Sequence, residues 1–161
     1  MENSQVRPTV EEQLFFTYSN MLFRLCFTFF GNKADAEDAV SEVFIKYLEK
    51  APEFNNEEHK KAWLLRVAAN ICKDMLRSSS RKNNISFCDA YEYCETEEDT
   101  DIMTAVLNLP LKYKSVVYIH YIEGYKTAET AKILHISESA VRKRLQYARS
   151  MLKKYLRGEF E

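Results

Sequence analysis

"YKTAETAKILHISESAVRKRLQYARSMLKKYL", Tyr125 to Leu156, is the stretch whose reading decides the fold. It divides into two helices around a tight turn. The first runs from about Thr127, a suitable N-cap, to Leu134, and Ala131 is small enough for a second helix to cross closely. Ser137 suits the N-cap of the second helix, with the apolar Ile136 before it. There Val141, Leu145, Ala148 and Leu152 recur at i, i+4, i+7 and i+11, which makes them the buried stripe. Arg142, Lys143, Gln146, Tyr147 and Arg149 are left outside. A basic second helix after a short turn is the pattern of a helix-turn-helix whose second helix enters the DNA major groove. An ordinary basic helical hairpin is the competing reading.

Upstream, "SVVYIHYIEGY" is β-branched enough to be a strand by local propensity, but the helix-turn-helix needs a helix to pack on, so it is read as helical. Ile102 to Leu107 starts helical and Pro110 opens the next helix. Before that, "NNISFCDAYEYCETEEDTD" has acids and scattered aromatics but no steady period, and is expected to be a flexible linker. Three helices precede it. Val10, Leu14, Tyr18, Leu22, Leu25 and Phe29 give the first its apolar face, and Gly31-Asn32 ends it. A second spans about Asp35 to Lys50, stopping at Pro52. A third follows Asn55-Asn56, with Glu57 and Glu58 in its first turn, and ends near Ser78; Leu64, Val67, Ala68, Ile71 and Met75 make its buried stripe.

Composition agrees with an all-α chain. Only three Gly and three Pro occur in 161 residues, too few for a turn-rich β fold, while 46% apolar content suffices for a core. Cys26, Cys72, Cys88 and Cys94 form no C-x-x-C pair and have no clustered histidines, so free thiols are expected rather than a metal site. No cofactor is implied. The run Leu14 to Phe30 is broken by Asn20 and Arg24, and the polar first ten residues do not resemble a signal peptide, so no membrane insertion and an intracellular, cytoplasmic location are expected.

Net charge is only −1, but it is unevenly spread. His59 to Lys82 holds seven Lys/Arg against one Asp; Asn83 to Asp101 holds seven acids and no base; Tyr125 to Gly158 holds nine bases against two acids. Two basic blocks around an acidic one suggest two nucleic-acid surfaces and a linker. In the third helix Trp63, Arg66, Asn70, Lys73 and Arg77 share a face: bases for phosphate, an amide for a base edge, an aromatic for stacking. Trp63 serves equally well as core. In the second helix Asp38, Ser41, Glu42, Ile45 and Glu49 share a face separate from the apolar one, and an isoleucine among acids suits a protein contact.

"LPLKYKSVVYIHYIEGYKTAETAKILHISESAVRKRLQYAR" resembles the promoter −35-reading domain of bacterial extracytoplasmic-function sigma factors. "DAEDAVSEVFIKYLE" and "AWLLRVAANICKDMLR" resemble the core-binding and −10-reading parts of that family's other domain. The likeness runs from about Glu11 to Arg157 in the family's order. It implies two small helical domains, residues 10–82 and 102–158, joined by an acidic linker over 83–101. By this resemblance Asp38, Ser41, Glu42 and Ile45 would meet core RNA polymerase. Phe54, Asn55 and Asn56, in the loop "EFNNEE", would hold the −10 strand together with Trp63, Arg66, Asn70, Lys73 and Arg77. Ser139, Arg142, Lys143, Gln146, Tyr147 and Arg149 would read −35 duplex. The linker would thread the polymerase cleft, and an anti-sigma factor is a further implied partner.

The chain departs from the family pattern at Ser41, where Gln is usual, at His135, where the turn often has Gly, and at Tyr147, which replaces a frequent Arg. No Gly-rich phosphate loop or nucleophile–base arrangement is present, so a non-enzymatic sigma factor is expected. A stand-alone helix-turn-helix regulator is the alternative, and it leaves the first domain's surfaces without a role. A protein-interaction module with basic helices is a second.

Overall fold

The computed structural model describes residues 6–78, 85, 86, 88, 89, 92 and 94–158, and the elements among them are helices. They are α1 (Val10–Phe30), α2 (Lys33–Lys50), α3 (Glu57–Arg77), α4 (Glu97–Leu107), α5 (Leu111–Val117), α6 (Thr127–Leu134) and α7 (Glu138–Leu156).

Local chemistry sets the ends. Thr9 opens α1 with a capping box: its Oγ1 accepts the Glu12 N–H at 3.1 Å while the Glu12 carboxylate accepts the Thr9 N–H at 2.9 Å. Gly31 closes α1 at φ 69°, a left-handed conformation that glycine adopts without strain. Asn32 and Asn56 open α2 and α3, each Oδ1 accepting the N–H three residues on.

Gly31 also corrects the expected linker. A Cβ there would stand 2.9 Å from Ile85 Cγ1, so the missing side chain makes room for Ile85. Ser86 N–H then donates to the Gly31 carbonyl at 2.7 Å, and Asp89 Oδ2 accepts the Lys33 N–H at 2.9 Å, adding a carboxylate at the start of α2. At its other end the segment becomes helical sooner than expected. Thr96 caps α4 through Asp99 N–H, and Glu97, Glu98 and Asp99 occupy the first turn, where the helix dipole favours acids. The charge pattern that suggested a tether is thus partly a helix start. Residues 79–84, 87, 90, 91 and 93, the rest of the expected first-domain end and linker, lie outside the described residues.

α1, α2 and α3 pack mutually, while α7 packs against α4, α5 and α6. The two groups also share one core. α1 touches α4 and α5, and α3 touches α6. This explains why burial is wider than the periodicity predicts. Beyond the expected stripe, α1 buries Met21, Cys26, Phe27, Thr28 and Phe30, and α3 buries Leu65, Ala69, Cys72 and Leu76. Val10, expected on the apolar face, is exposed because α1 begins beyond the packed region.

The ambiguous "SVVYIHYIEGY" is helical: α5 continues as a wider turn over Tyr118–Ile122, in which Glu123 N–H donates to the Tyr118 carbonyl five residues back. In the helix-turn-helix, Lys126 takes the N-cap position of α6 rather than Thr127. The Thr127 hydroxyl instead donates to Glu138 Oε1 at 2.9 Å, bridging α6 to α7. α6 ends on His135 at φ 55°, ψ 44°, with Ile136 N–H bonded to the Ala131 carbonyl and His135 N–H to that of Lys132. That is a Schellman turn with His in the position glycine usually holds. Ser137 then caps α7 through Ala140 N–H at 3.0 Å.

Two stability predictions follow from these positions. His135→Gly should raise stability by about 0.5–1 kcal/mol and His135→Val should lower it, since a β-branched residue resists positive φ; denaturant unfolding at neutral pH checks both. Lys114 lies on α5, a helix that packs against α1 and α7, with 6% of its surface exposed and, among the described residues, no carboxylate at ion-pair distance. Burial pushes its ammonium down from 10.5 to about 8. A lowered base means that the unfolded chain binds more protons between those values, so the penalty is complete below pH 8 and fades as pH rises towards 10.5. Lys114→Met should therefore gain about 1–3 kcal/mol at pH 7, and unfolding curves of the two proteins should converge as pH rises above 8.

Candidate nucleic-acid interface

α7 is amphipathic in the sense its sequence requires. Val141, Leu145 and Ala148 are buried and Leu152 half-buried, while Ser139, Arg142, Lys143, Gln146, Tyr147 and Arg149 are all exposed. Two of these are held in place. Arg142 Nη1 meets Glu138 Oε1 at 3.0 Å, the same oxygen that accepts the Thr127 hydroxyl, so one carboxylate ties α6 to α7 and orients the guanidinium. Arg149 Nη1 donates to the Tyr121 hydroxyl at 2.7 Å. Tyr147 leans on Tyr113, ring centroids 6.2 Å apart, with half its surface in solvent. The exposed face therefore offers cations, one amide and one aromatic edge, the group types that reach base edges and phosphates.

On α3, Arg66, Asn70 and Arg77 are exposed as expected. Arg77 is 3.4 Å from Asp74, an exposed i,i+3 pair that water and salt screen. Lys73 differs from expectation: it is half-buried, and its ammonium is shifted down by burial, then by the positive charges of Arg144 and Arg77. Trp63 is also half-buried, edge-on to Tyr47 at 6.1 Å and to Phe54 at 5.7 Å, while Phe54 stacks on Tyr47 at 6.4 Å. This aromatic group, rather than a free indole, forms the floor beside the α2–α3 loop. A shallow depression there is lined by Tyr47, Pro52, Phe54, Asn56 and Lys60 together with the carboxylates Glu53 and Glu57, with Asn55 exposed at its side. Asn56 spends its Oδ1 on the α3 cap.

Asp38, Ser41, Glu42 and Ile45 on α2 are exposed, Ile45 to 46%. Asp38, Ser41 and Glu42 border a groove whose other side is Ile71, Asp74 and Met75 of α3, and Lys46 extends it. The acidic face thus has an apolar seam beside it, which single-helix arithmetic did not reveal.

Residues absent from the expected sites turn out to support them. Glu138 was legible as an i,i+4 partner of Arg142. Tyr121, 28 positions from Arg149, was not. Lys61 and Glu123, joined at 3.1 Å across the two helix groups, carried no sequence signal at all. Among the described residues no group of three or more His, Cys, Asp or Glu could hold a metal ion, and no helix is long and apolar enough to cross a membrane.

Residues 14–82 match the family model of sigma-70 region 2, and residues 99–152 that of sigma-70, region 4. The ECF RNA polymerase sigma factor SigW of Bacillus subtilis (strain 168) is 29% identical over 87% of this chain and 85% of its own length. SigM of Mycobacterium tuberculosis (strain ATCC 25618 / H37Rv), also an ECF RNA polymerase sigma factor, is 26% identical over 90% of this chain and 76% of its own. In fold, the chain is similar to the sigma factor RpoE from Bartonella quintana, solved in complex with the anti-sigma factor NepR: TM-score 0.72, 18% identity, over 90% of this chain and 95% of that one. With both sigma-70 regions matched in order over the helices just described, the chain belongs to the ECF family of RNA polymerase sigma factors, which direct promoter-specific transcription.

Proposed function

We propose that within this role the three exposed faces divide the work. The α2 face of Asp38, Ser41, Glu42 and Ile45, with its apolar seam, docks on core RNA polymerase. The α3 face of Arg66, Asn70, Lys73 and Arg77, with the Phe54–Trp63 floor and loop residues Asn55 and Asn56, holds the −10 strand. The α7 face of Ser139, Arg142, Lys143, Gln146, Tyr147 and Arg149 reads −35 duplex. The observation that carries this division is the separation of charge by face: carboxylates beside an apolar seam on α2, three cations with a single amide on α3, offset only by Asp74 beside Arg77, and cations with a single amide on α7. Phosphate repels the first and attracts the others. Residues 10–82 and 102–158 act as the two working units. The chain supplies no bond-making chemistry of its own, and it works in the cytoplasm beside the polymerase and chromosome. An anti-sigma factor, the class of partner in the Bartonella quintana complex, would regulate it.

Run-off transcription with purified core polymerase tests the reading as a whole. Promoter-specific transcripts are expected only when the chain is added. A stand-alone regulator would bind DNA yet fail to redirect core enzyme.

Asn70 gives the residue-level test on α3. It is the one member of its exposed set with both donor and acceptor, so it can read a base edge where Arg66, Lys73 and Arg77 mainly hold phosphate. Asn70→Ala should leave polymerase binding and −35 affinity intact but impair opening, since unstacking a base costs a few kcal/mol that bound contacts must offset. Permanganate footprints on normal and pre-opened templates measure this; normal melting by the variant would reject the role. For α7, Gln146→Ala should relax preference at one −35 position by about 1–3 kcal/mol. Lys153→Ala should instead weaken all sequences alike and flatten the salt dependence. Binding to a panel of −35 variants at two salt concentrations separates the two effects.

A further inference from the structure

The wide turn that ends α5 brings a tyrosine to the outer face of α7. At ordinary helical spacing Tyr121 would share a face with Lys114 and Val117, both buried. The turn over Tyr118–Ile122 takes up an extra residue, with Glu123 N–H donating to the Tyr118 carbonyl at 3.1 Å. Tyr121 and Ile122 emerge with about half of their surface in solvent. Widened turns of this kind recur at functional sites.

Three contacts fix what emerges. The Tyr121 ring stands edge-on to His120, with centroids 4.9 Å apart. His120 Nδ1 lies 2.7 Å from the Tyr125 carbonyl, and a carbonyl can only accept, so Nδ1 carries the proton and ties the imidazole to the start of the helix-turn-helix. The Tyr121 hydroxyl accepts from Arg149 Nη1 at 2.7 Å. Since that oxygen is engaged as an acceptor, its own proton is left over, and among the described residues no second partner receives it. Arg149 differs in this from Arg142, whose charge is paired with Glu138: it is held by a neutral group and keeps its full charge for an anion.

The place of Arg149 on α7 identifies that anion. Arg142, Gln146, Arg149 and Lys153 follow at i, i+4, i+7 and i+11 and form one exposed row. In a recognition helix the N-terminal residues meet the base edges. Arg149 stands about 10 Å further along the axis than Arg142, at 1.5 Å per residue. There a helix crossing a groove about 12 Å wide passes from the bases to the phosphate wall. A guanidinium tied to a tyrosine at one nitrogen is less free to swing towards a base, while its other N–H groups stay available. Guanidinium and phenol together present donors and one positive charge, which match the two non-bridging oxygens of a phosphodiester.

We propose that Tyr121 and Arg149 form a joint seat for one DNA phosphate at the edge of the −35 site. Arg149 then anchors the backbone rather than reading a base, and Tyr121, outside the helix-turn-helix, is a direct DNA contact. The location of the seat rests on the −35 assignment of α7; the sharing of one phosphate by the two side chains does not.

The test uses the chain assembled with core RNA polymerase, and promoter duplexes in which one phosphate at a time is replaced by an uncharged methylphosphonate. Tyr121→Phe removes the hydroxyl and keeps the ring against His120, while Arg149→Ala removes the cation. Tyr121→Phe should weaken promoter binding roughly three- to tenfold. Arg149→Ala should weaken it at least as much and flatten the salt dependence. Both losses should be the same for every −35 base sequence. One methylphosphonate should weaken the wild type, and on that duplex neither variant should lose further affinity. Circular dichroism and co-purification with polymerase check that both variants fold and assemble. Wild-type binding by Tyr121→Phe would overturn the seat, as would a loss that persists undiminished on every modified duplex, the mark of a merely structural role. An altered base preference at one −35 position in Arg149→Ala would overturn it too. Convergence on a phosphate outside the −35 region supports the seat and overturns the −35 reading of α7.

Discussion

Burial of the second half of α1, continuous from Leu25 to Phe30, is the constraint on which the arrangement depends. Leu22, Leu25 and Cys26 are fully buried and Phe27 almost so, because α2 and α3 cover part of the helix and α4 and α5 cover more. Each fully buried Leu or Phe contributes about 1.5–3 kcal/mol relative to exposure. The same side chains therefore stabilise both helix groups, and one apolar helix serves as a wall common to the two. A linker alone would tether those units without orienting them.

Electrostatics then sets the outer faces against this apolar agreement. α3 and α7 both carry cations, and the Lys73 ammonium is disfavoured by burial and by the positive charges of Arg144 and Arg77. Elsewhere the two helix groups are joined by an attractive pair, Lys61 with Glu123, backed by Tyr118. Such a partly buried pair is screened less than a surface one, but desolvation limits its net worth. The interface is held by shape and apolar contact and adjusted by a few charges.

The helix-turn-helix is more self-contained. Its turn is fixed by backbone bonds of the Schellman type, its second helix by Ser137, and the angle between helices by the Thr127–Glu138 bridge. Glu138 also meets Arg142, so the carboxylate that bridges the two helices holds an exposed cation on the outer face of α7. Positioning groups of this kind cut the entropy lost when a long side chain is fixed on its target.

Much of this was written in local sequence. Helices α1, α2, α3, α6 and α7, the Gly31 turn, the Asn56 and Ser137 caps and the exposed sets on α2 and α7 follow from periodicity and capping, which act within a few residues, whereas α5 is strand-like by local propensity and the first turn of α4 reads as linker. Where local signals failed, the determining partner was distant in the chain. Thr127 is not a cap because Glu138 takes its hydroxyl, and the acidic segment is anchored at Ile85 and Asp89 because Gly31 leaves a space and Lys33 an open N–H. Trp63 is half-buried because Tyr47 and Phe54 pack edge-on against it, and half-buried Lys73 feels the positive charge of Arg144 from the second helix group. Periodicity tells which face of a helix is apolar. Whether a second face is also covered depends on how the helices are brought together, and that is decided only when long-range contacts form.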